Sequence, residues 1–309
     1  MSQSTLPLEN KRFDFSDLPD LSDKTILITG ANRGLGFIAS RELANKSAMV
    51  IMACRNLEEG EKAKNIILDM NSLAKIDVMK LDLANLSSIQ EFSTLFKQKY
   101  SKLDVLLNNA GATARAKDPP SSKTDDGFEY RLGVNHLGTF ALTGHLFDLL
   151  KKTNNARIVT VSSLSHKQGK IYFDDLHKKR SKMSLYAQSK LANLLFAYEL
   201  SRKIQANKLS LLSIACHPGF SRTNVQNGGF FYKLGRNFLS QSAEKGTLPL
   251  VYACTGKDIL NGDYIGPDGF YGMKGFPKRV KSNRRSYNKE DAEKLWKISE
   301  ELTKTIYQF

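Results

Sequence analysis

A glycine-rich turn between a predicted strand and a predicted helix constrains the fold of this 309-residue chain more than any other feature. The turn spans residues 29–36 and reads Thr-Gly-Ala-Asn-Arg-Gly-Leu-Gly. The short β-branched run before it, at 24–28, is typical of a buried parallel strand, and apolar residues at helical spacing follow it. Glycines allow a positive φ and close backbone approach, and the N–H groups at a helix start attract anions. Because glycine triads also occur in ordinary loops, the flanking strand and helix are what predict a dinucleotide site.

Apolar strand patterns and helical patterns alternate along most of the chain. The predicted strands lie at 24–28, 48–53, 76–81, 104–107, 157–161 and 209–215, with helices at 57–73, 87–100, 127–150 and 185–204 between them. This alternation predicts an α/β fold with a doubly wound parallel sheet and helices on both faces. Since no linker interrupts it, we expect a single domain at 23–309 that follows an N-terminal extension at 1–22. Phe13, Phe15, Leu18 and Leu21 of that extension are candidates to pack on the body.

The chain is strongly basic, with 46 Lys and Arg against 31 Asp and Glu and a net charge of +15. Such an excess is compatible with nucleic acid, an anionic membrane surface, an anionic cofactor or simply a basic solvated surface. One concentrated stretch comprises Lys274, Lys278, Arg279, Lys281, Arg284, Arg285 and Lys289.

The three cysteines are odd in number and far apart, at Cys54, Cys216 and Cys254. Their spacing matches no metal-ligand motif, so we expect no metal site and a reducing, cytoplasmic setting. Residues 1–23 have no apolar centre and carry charges, which argues against a secretory signal. The longest charge-free segment, at 132–147, is too short and too polar for a transmembrane anchor.

A tyrosine and a lysine four residues apart form the strongest catalytic candidate. Tyr186 and Lys190 share one face of a predicted helix, where a fixed ammonium would favour the phenolate and help proton transfer at neutral pH. Ser163, at the end of the fifth strand, offers a hydroxyl that could hold a carbonyl oxygen. Each feature alone is more often a surface pair or a helix cap, so their joint position at one crevice carries the prediction.

These motifs together resemble the short-chain dehydrogenases/reductases from about Leu21 to Leu302. The matching positions are Thr29-Gly30-x-x-x-Gly34-x-Gly36, Asn108-Asn109-Ala110-Gly111, Val161-Ser162-Ser163, Tyr186-x-x-x-Lys190 and Pro218-Gly219-x-x-x-Thr223. The segment 186–193 and the insertion at 169–176 are similar to the branch that holds retinol dehydrogenases, WW-domain oxidoreductases and protochlorophyllide reductases. The resemblance implies a Rossmann-type sheet of about seven strands and an NADP(H)- or NAD(H)-dependent enzyme.

The resemblance also implies a role for each matching residue. Tyr186 would be the general acid or base, Lys190 would bind the nicotinamide ribose and lower the tyrosine pKa, Ser163 would orient the carbonyl, and Asn135 would hold a water. Of the two adjacent serines, we take Ser163 as the active one. The implied cofactor-binding residues are Gly30, Asn32, Arg33, Gly34, Leu35, Gly36, Arg55, Asp82, Leu83, Asn109, Ala110, Gly111, Tyr186, Lys190, Pro218, Gly219 and Thr223.

The end of the second predicted strand indicates which cofactor is used. NAD-specific sites place a carboxylate about 20 residues after the glycine turn, where it binds the ribose 2′-hydroxyl. This chain has Ala53-Cys54-Arg55 there and carries Arg33 inside the turn. Both arginines could hold a 2′-phosphate, so we predict NADP(H) as the cofactor.

The family places a variable substrate lid at about 220–242 of this chain. Here that segment contains Phe230, Phe231, Tyr232 and Phe238 among glycines, which predicts a small apolar carbonyl or alcohol as substrate unless these rings simply pack on the body.

Protochlorophyllide reductase reduces a carbon–carbon double bond, so an alkene reductase is an alternative. A non-catalytic NADP-sensing or nucleic-acid-binding protein is another, although the filled catalytic positions argue against specific nucleic-acid binding. The sequence does not fix the oligomeric state; relatives often pair through the helices that hold Asn135 and Tyr186, so the resemblance makes a homo-oligomer possible.

Overall fold

The apolar segments of the sequence form the strands of one sheet. The structure, a computed structural model, describes residues 12–114, 122–177, 180–220 and 241–309. Its strands are β1 (Thr25–Thr29), β2 (Met49–Cys54), β3 (Lys75–Lys80), β4 (Val105–Asn108), β5 (Ala156–Val161), β6 (Leu211–Cys216), β7 (Tyr264–Gly269) and β8 (Lys274–Arg279).

The strand order is β3-β2-β1-β4-β5-β6-β7-β8. Every neighbouring pair from β3 to β7 is parallel, so the predicted doubly wound α/β sheet is confirmed. The prediction of about seven strands is corrected to eight among the described residues, because β8 adds an antiparallel edge strand to β7. The chain order reverses between β1 and β4, and ligands of such sheets bind outside the carboxyl ends of the strands at that point.

Helices cover both faces of the sheet. They are α1 (Gly34–Ala44), α2 (Leu57–Met70), α3 (Leu86–Lys99), α4 (Tyr130–Leu132), α5 (Gly138–His145), α6 (Phe147–Lys152), α7 (Lys182–Ala206), α8 (Ala243–Thr255) and α9 (Lys289–Thr303). The single helix predicted at 127–150 is wrong in detail, because a π-helical turn at Gly133–Leu137 separates α4 from α5. Glycines at both ends of this turn are closely packed: a Cβ on Gly133 would lie 2.3 Å from the Thr124 methyl, and one on Gly138 would lie 2.3 Å from the Leu83 carbonyl oxygen.

Alternation along the strands divides the core between the two faces. Ile26 and Ile28 of β1 join one apolar cluster with residues of α1 and α8, whereas Leu27 joins a second with residues of α3, α5 and α7. All three side chains are fully buried, as expected for a central parallel strand covered on both faces.

The segment before β1 packs on the body. Leu18 and Leu21 are buried in the first cluster, and the Phe13 ring lies 4.9 Å from the Tyr252 ring of α8. This agrees with the packing predicted for these residues, while the domain boundary at residue 23 stays a prediction. Among the helices that the structure describes, none is both long and apolar enough to cross a bilayer.

Candidate active site

The glycine turn lies between β1 and α1 and is shaped by its backbone. Gly30 and Gly34 have φ values of 64° and 58°, in the left-handed region that favours glycine. A Cβ on Gly36 would lie 2.4 Å from the Gly30 carbonyl oxygen, so α1 can approach the turn only with glycine there. Arg33 precedes the first turn of α1, and in the described structure no side chain caps the N–H groups of that turn. These features fit a bound pyrophosphate.

Thr29 and Asn109 fix the turn to the end of β4. The Thr29 hydroxyl accepts hydrogen bonds from the backbone N–H of Asn109 at 3.0 Å and of Ala110 at 2.9 Å. The Asn109 side-chain amide donates to the Thr29 carbonyl oxygen at 2.8 Å. Asn109 and Ala110 therefore lie beside the turn, as the sequence predicts. Thr29 holds both motifs, and the sequence reasoning assigned it no role of its own.

The end of β2 lies beside the same turn. Burial raises the pKa of the Cys54 thiol to about 11, although hydrogen bonds from the backbone of Ala31 and Asn32 oppose that rise. Arg55 follows directly and is exposed; its guanidinium donates to the Tyr130 hydroxyl at 3.1 Å, which raises the arginine pKa. Arg33 is also exposed. Two exposed arginines therefore follow the ends of neighbouring strands, Arg33 in the turn after β1 and Arg55 directly after β2.

The remaining cofactor candidates border the crevice on either side. The Asp82 carboxylate accepts from the backbone N–H of Ala84 at 2.9 Å, and Leu83 is buried against α5. On the other side, Gly219 has a φ of 67°, and the Pro218 carbonyl accepts from the Gln241 amide at 2.8 Å. Thr223 and the predicted lid aromatics lie outside the described residues.

Asn135 lies in the π-helical turn and is fully buried. Its side-chain oxygen accepts from the backbone N–H of Ala112 at 2.6 Å, and its amide donates to the Ala112 carbonyl at 2.9 Å and to the Ser189 hydroxyl at 2.8 Å. Ser189 in turn donates to the Tyr186 carbonyl at 2.8 Å. Asn135 therefore ties the loop after β4 to the part of α7 that carries Tyr186. Ser189 was missed, although it stands within the stretch that matches the family.

The two adjacent serines have different surroundings. Ser162 is buried and donates to the Lys190 carbonyl oxygen at 2.8 Å, which fixes β5 to α7. Ser163 is half-buried and begins the 3-10 turn Leu164–Gln168, and its hydroxyl accepts from the Ser165 N–H at 3.2 Å. The same hydroxyl lies close enough to Tyr186 to lower the pKa of that phenol. The geometry thus favours Ser163 over Ser162 as the serine that meets a substrate.

Lys190 is buried, and its ammonium donates to the Val161 carbonyl oxygen at 2.9 Å. Burial lowers its pKa to about 8. A Cβ placed on the exposed Gly111 would lie 3.4 Å from this ammonium and 3.1 Å from the Asn135 side-chain oxygen. Gly111 therefore leaves an opening above both groups.

The effect of Lys190 on the Tyr186 pKa stays a prediction. The Lys190 ammonium lies 5.9 Å from the Tyr186 ring centre and donates to the Val161 carbonyl oxygen. Burial raises the pKa of Tyr186, and the nearby Ser163 hydroxyl opposes part of that rise. The arrangement nevertheless gathers a phenol, a hydroxyl and a buried amine at the crevice, which suits proton transfer to a polarised carbonyl.

The sequence model of the short chain dehydrogenase family matches residues 24–229. The chain belongs to this family. Its members use a nicotinamide cofactor, and the chain is accordingly an oxidoreductase. Retinol dehydrogenase 12 of Homo sapiens is 38% identical over 289 residues, covering 91% of this chain and 87% of that protein. Retinol dehydrogenase 13 of Homo sapiens is 36% identical over 293 residues, covering 90% and 84%.

Among solved structures, an uncharacterized protein from Mycobacterium paratuberculosis has the same fold. It superimposes with a TM-score of 0.81 at 38% identity, covering 97% of this chain and all of that one. The Rossmann-type architecture and the relation to retinol dehydrogenases are therefore confirmed. The roles of the individual site residues stay predictions.

Proposed function

We propose that the chain is an NADP(H)-dependent oxidoreductase that interconverts an apolar aldehyde or ketone and its alcohol by hydride transfer. The observation that carries this proposal is the meeting of Tyr186, Ser163 and Lys190 beside the glycine turn. When bound, the nicotinamide supplies or accepts the hydride.

The protein residues would orient the carbonyl and move its proton. Ser163 would donate a hydrogen bond from its hydroxyl to the substrate carbonyl oxygen. Tyr186 would deliver the proton that this oxygen gains on reduction. In the oxidative direction Tyr186 takes the proton back. Lys190, beside the opening at Gly111, would bind the nicotinamide ribose hydroxyls. Asn135 holds the loop and α7 at the correct separation.

Two exposed guanidinium groups support NADP(H) over NAD(H). Arg33 and Arg55 both lie at the mouth of the crevice, and residues 53–55 include no carboxylate that would bind a free 2′-hydroxyl. A dianionic 2′-phosphate fits this positive pair.

An aromatic turn near Ser163 supports an apolar substrate. Phe270 and Tyr271 stand 52% and 82% exposed, and both have positive φ values, 31° and 54°, which are costly for such residues. Gly272 brings this turn against the side chains of Leu164 and His217. A cavity of about 280 Å³ lies there, beside the 3-10 turn that begins at Ser163, and Tyr271 lines it together with the charged Lys167, Asp268 and Lys281. The exposed rings of the turn are the part that suits an apolar ligand.

A homologous aldehyde series with NADPH tests the proposal. We expect catalytic efficiency to rise with chain length, by up to roughly fourfold per methylene, since each buried methylene contributes about 0.8 kcal/mol. Phe270→Ala and Tyr271→Ala should reduce the efficiency for long aldehydes more than for short ones. Leu73→Ala is the matched control, because Leu73 is 87% exposed in the turn before β3, on the opposite edge of the sheet.

The proposal would be contradicted if catalytic efficiency did not change with aldehyde chain length, or if the protein preferred sugars or charged keto acids. Turnover of an activated alkene but of no carbonyl would favour the alkene reductase instead. The basic stretch does not favour the nucleic-acid alternative, because Arg279 pairs with Asp263 at 2.6 Å and Arg285 donates to the Gly169 carbonyl at 2.8 Å. A cytoplasmic location and a homo-oligomer stay predictions.

A further inference from the structure

A buried histidine lies directly behind the candidate catalytic serine. His166 is fully buried, stands three residues after Ser163, and belongs to the 3-10 turn that Ser163 begins. The chemistry proposed above gives this residue no role. A buried imidazole beside a reacting group is either a packing residue or part of the machinery, and its hydrogen bonds distinguish the two.

The partners of the ring fix its tautomer. Nδ1 lies 2.6 Å from the Ser163 carbonyl oxygen, and Nε2 lies 3.3 Å from the backbone nitrogen of Asn283, which donates to it. A carbonyl can only accept and a backbone N–H can only donate, so Nδ1 carries the proton and Nε2 does not. The Tyr264 hydroxyl approaches Nδ1 at 3.5 Å, and the two rings meet edge to face. The ring therefore has one orientation in which both of its nitrogens are satisfied.

The C-terminal part of the chain holds this ring in place. The Asn283 side-chain amide donates to the His166 carbonyl oxygen at 3.3 Å, so Asn283 binds the residue at two points. Asn283 also caps the 3-10 turn Arg284–Tyr287 by accepting from the Ser286 N–H at 3.2 Å. The imidazole thus connects the Ser163 backbone to a segment beyond the residues that match the family model.

We propose that His166 is a positioning residue, which fixes the Ser163 carbonyl and thereby the direction in which the Ser163 hydroxyl points. Ser163 has extended backbone angles of φ −157° and ψ 157°. A rotation of the Ser163–Leu164 peptide would release its carbonyl and displace the Ser165 N–H, which donates to the Ser163 hydroxyl at 3.2 Å and so orients it. A displacement of 1 Å at a reacting group can cost roughly 100-fold in rate. The kinetic part of this inference rests on the proposed carbonyl reduction, whereas the tautomer does not.

Two amide substitutions separate positioning from packing. The amide nitrogen of His166→Asn can reach the place of Nδ1 and donate to the Ser163 carbonyl, whereas the longer His166→Gln places its amide near Nε2. We expect kcat with NADPH and an aldehyde to fall by roughly 10- to 100-fold in the Gln variant, with KM for NADPH changed by less than about twofold. The Asn variant should recover most of that loss. His145→Gln, at a half-buried histidine that ends α5, is the matched control and should keep the parent kcat.

An equal loss in both variants, or full activity in both, would overturn the inference, because a packing role does not depend on which amide reaches Ser163.

A measurement that needs no turnover completes the test. Nitrogen-15 NMR of labelled histidines, with the His166 signal assigned by its loss in the Asn variant, should show Nδ1 protonated at pH 7. Tyr264, His217 and Lys167 are the titratable neighbours of the ring. A protonated Nε2 would refute the positioning role, while the expected tautomer in a protein that reduces no carbonyl would count against the proposed function alone.

Discussion

The β1–β4 half of the sheet and the β5–β8 half provide their functional groups in different ways. In the first half the groups that would face a pyrophosphate are backbone: Gly30 and Gly34 have positive φ values, and Gly36 admits no Cβ. Two polar side chains of this half, Thr29 and Asn109, hold that backbone in shape. Binding of the pyrophosphate therefore depends on the path of the backbone, while the side chains of Arg33 and Arg55 would select the cofactor.

In the second half the groups are the ends of side chains. Tyr186 and Lys190 project from α7, and Ser163 projects from the end of β5. Their positions are fixed by hydrogen bonds from residues behind them, such as Ser162 and Ser189. Substitutions that remove one polar atom should therefore act on turnover in the second half and on cofactor choice in the first.

The largest effect is expected for Tyr186→Phe. This change keeps the ring and removes only the transferable proton, so kcat should fall by roughly 10²- to 10⁴-fold. The dissociation constant for NADPH, measured by calorimetry, should stay within about threefold of the parent value. Tyr198→Phe is the matched control on the same helix, where the hydroxyl bonds to Ser282 at 2.8 Å and not to Ser163. Substantial turnover in Tyr186→Phe would remove the tyrosine from the role of acid.

The two adjacent serines offer the next test. Ser163→Ala should lower kcat by roughly 10²-fold, because it removes a hydrogen bond that strengthens as charge develops on the carbonyl oxygen. Ser162→Ala should instead reduce the free energy of unfolding by about 1 kcal/mol, since its hydroxyl joins β5 to the Lys190 carbonyl. Steady-state kinetics and urea unfolding of both variants decide the matter. The reverse pattern would make Ser162 the active serine.

A smaller effect is expected at the cofactor side. Arg55→Asp should shift the preference between NADPH and NADH by at least roughly 10-fold toward NADH, since a charge-assisted hydrogen bond contributes about 1.5–3 kcal/mol. Tyr130→Phe is the control, because it removes the hydroxyl that accepts from Arg55 and keeps the charge. Equal or better efficiency of the parent protein with NADH would show that Arg55 does not select the cofactor.

The features that were predicted from the sequence are those encoded locally. The second strand was expected at 48–53 and forms at Met49–Cys54, because an uninterrupted apolar run has few alternatives to a buried strand. Tyr186 and Lys190 were expected on one helix face, and four residues is the repeat that places them there. Both predictions need only the order and spacing of residues within a short segment of the sequence.

The features that were missed depend on contacts between distant segments. At the π-helical turn Gly133–Leu137, the flanking Gly133 and Gly138 pack against Thr124 and Leu83, contacts that no helical period reveals. The eighth strand reads Lys-Gly-Phe-Pro-Lys-Arg, a composition that disfavours a strand until β7 pairs with it. The direction of the Lys190 ammonium likewise depends on where the Val161 carbonyl lies after folding.

The smallest expected effect is on stability and concerns the same lysine. Burial lowers the pKa of Lys190 to about 8, against about 10.4 in an unfolded chain, so between these values the folded state binds fewer protons than the unfolded state. The stability of the parent should therefore rise as the pH increases from 8 to about 10.4, and the full cost of burying the charge is present below pH 8. Lys190→Met removes that cost, while the Val161 carbonyl keeps its hydrogen bond from the Asn193 amide at 3.1 Å.

We expect the cofactor-free Met variant to melt at a higher temperature than the parent at pH 7, since one kcal/mol shifts the melting temperature by about 2–4 °C in proteins of roughly 150–250 residues. The difference should shrink toward pH 10, as the parent lysine loses its proton in the folded state. Thermal unfolding followed by circular dichroism from pH 6.5 to 10 measures both trends, and Lys297→Met, at an exposed position of α9, should show neither. If the Met variant were less stable than the parent at pH 7, or if the difference in melting temperature did not change with pH, the buried ammonium would not be destabilising the fold. A confirmed gain, paired with lost turnover, would show that the second half of the sheet gives up stability to keep a charge in the active site.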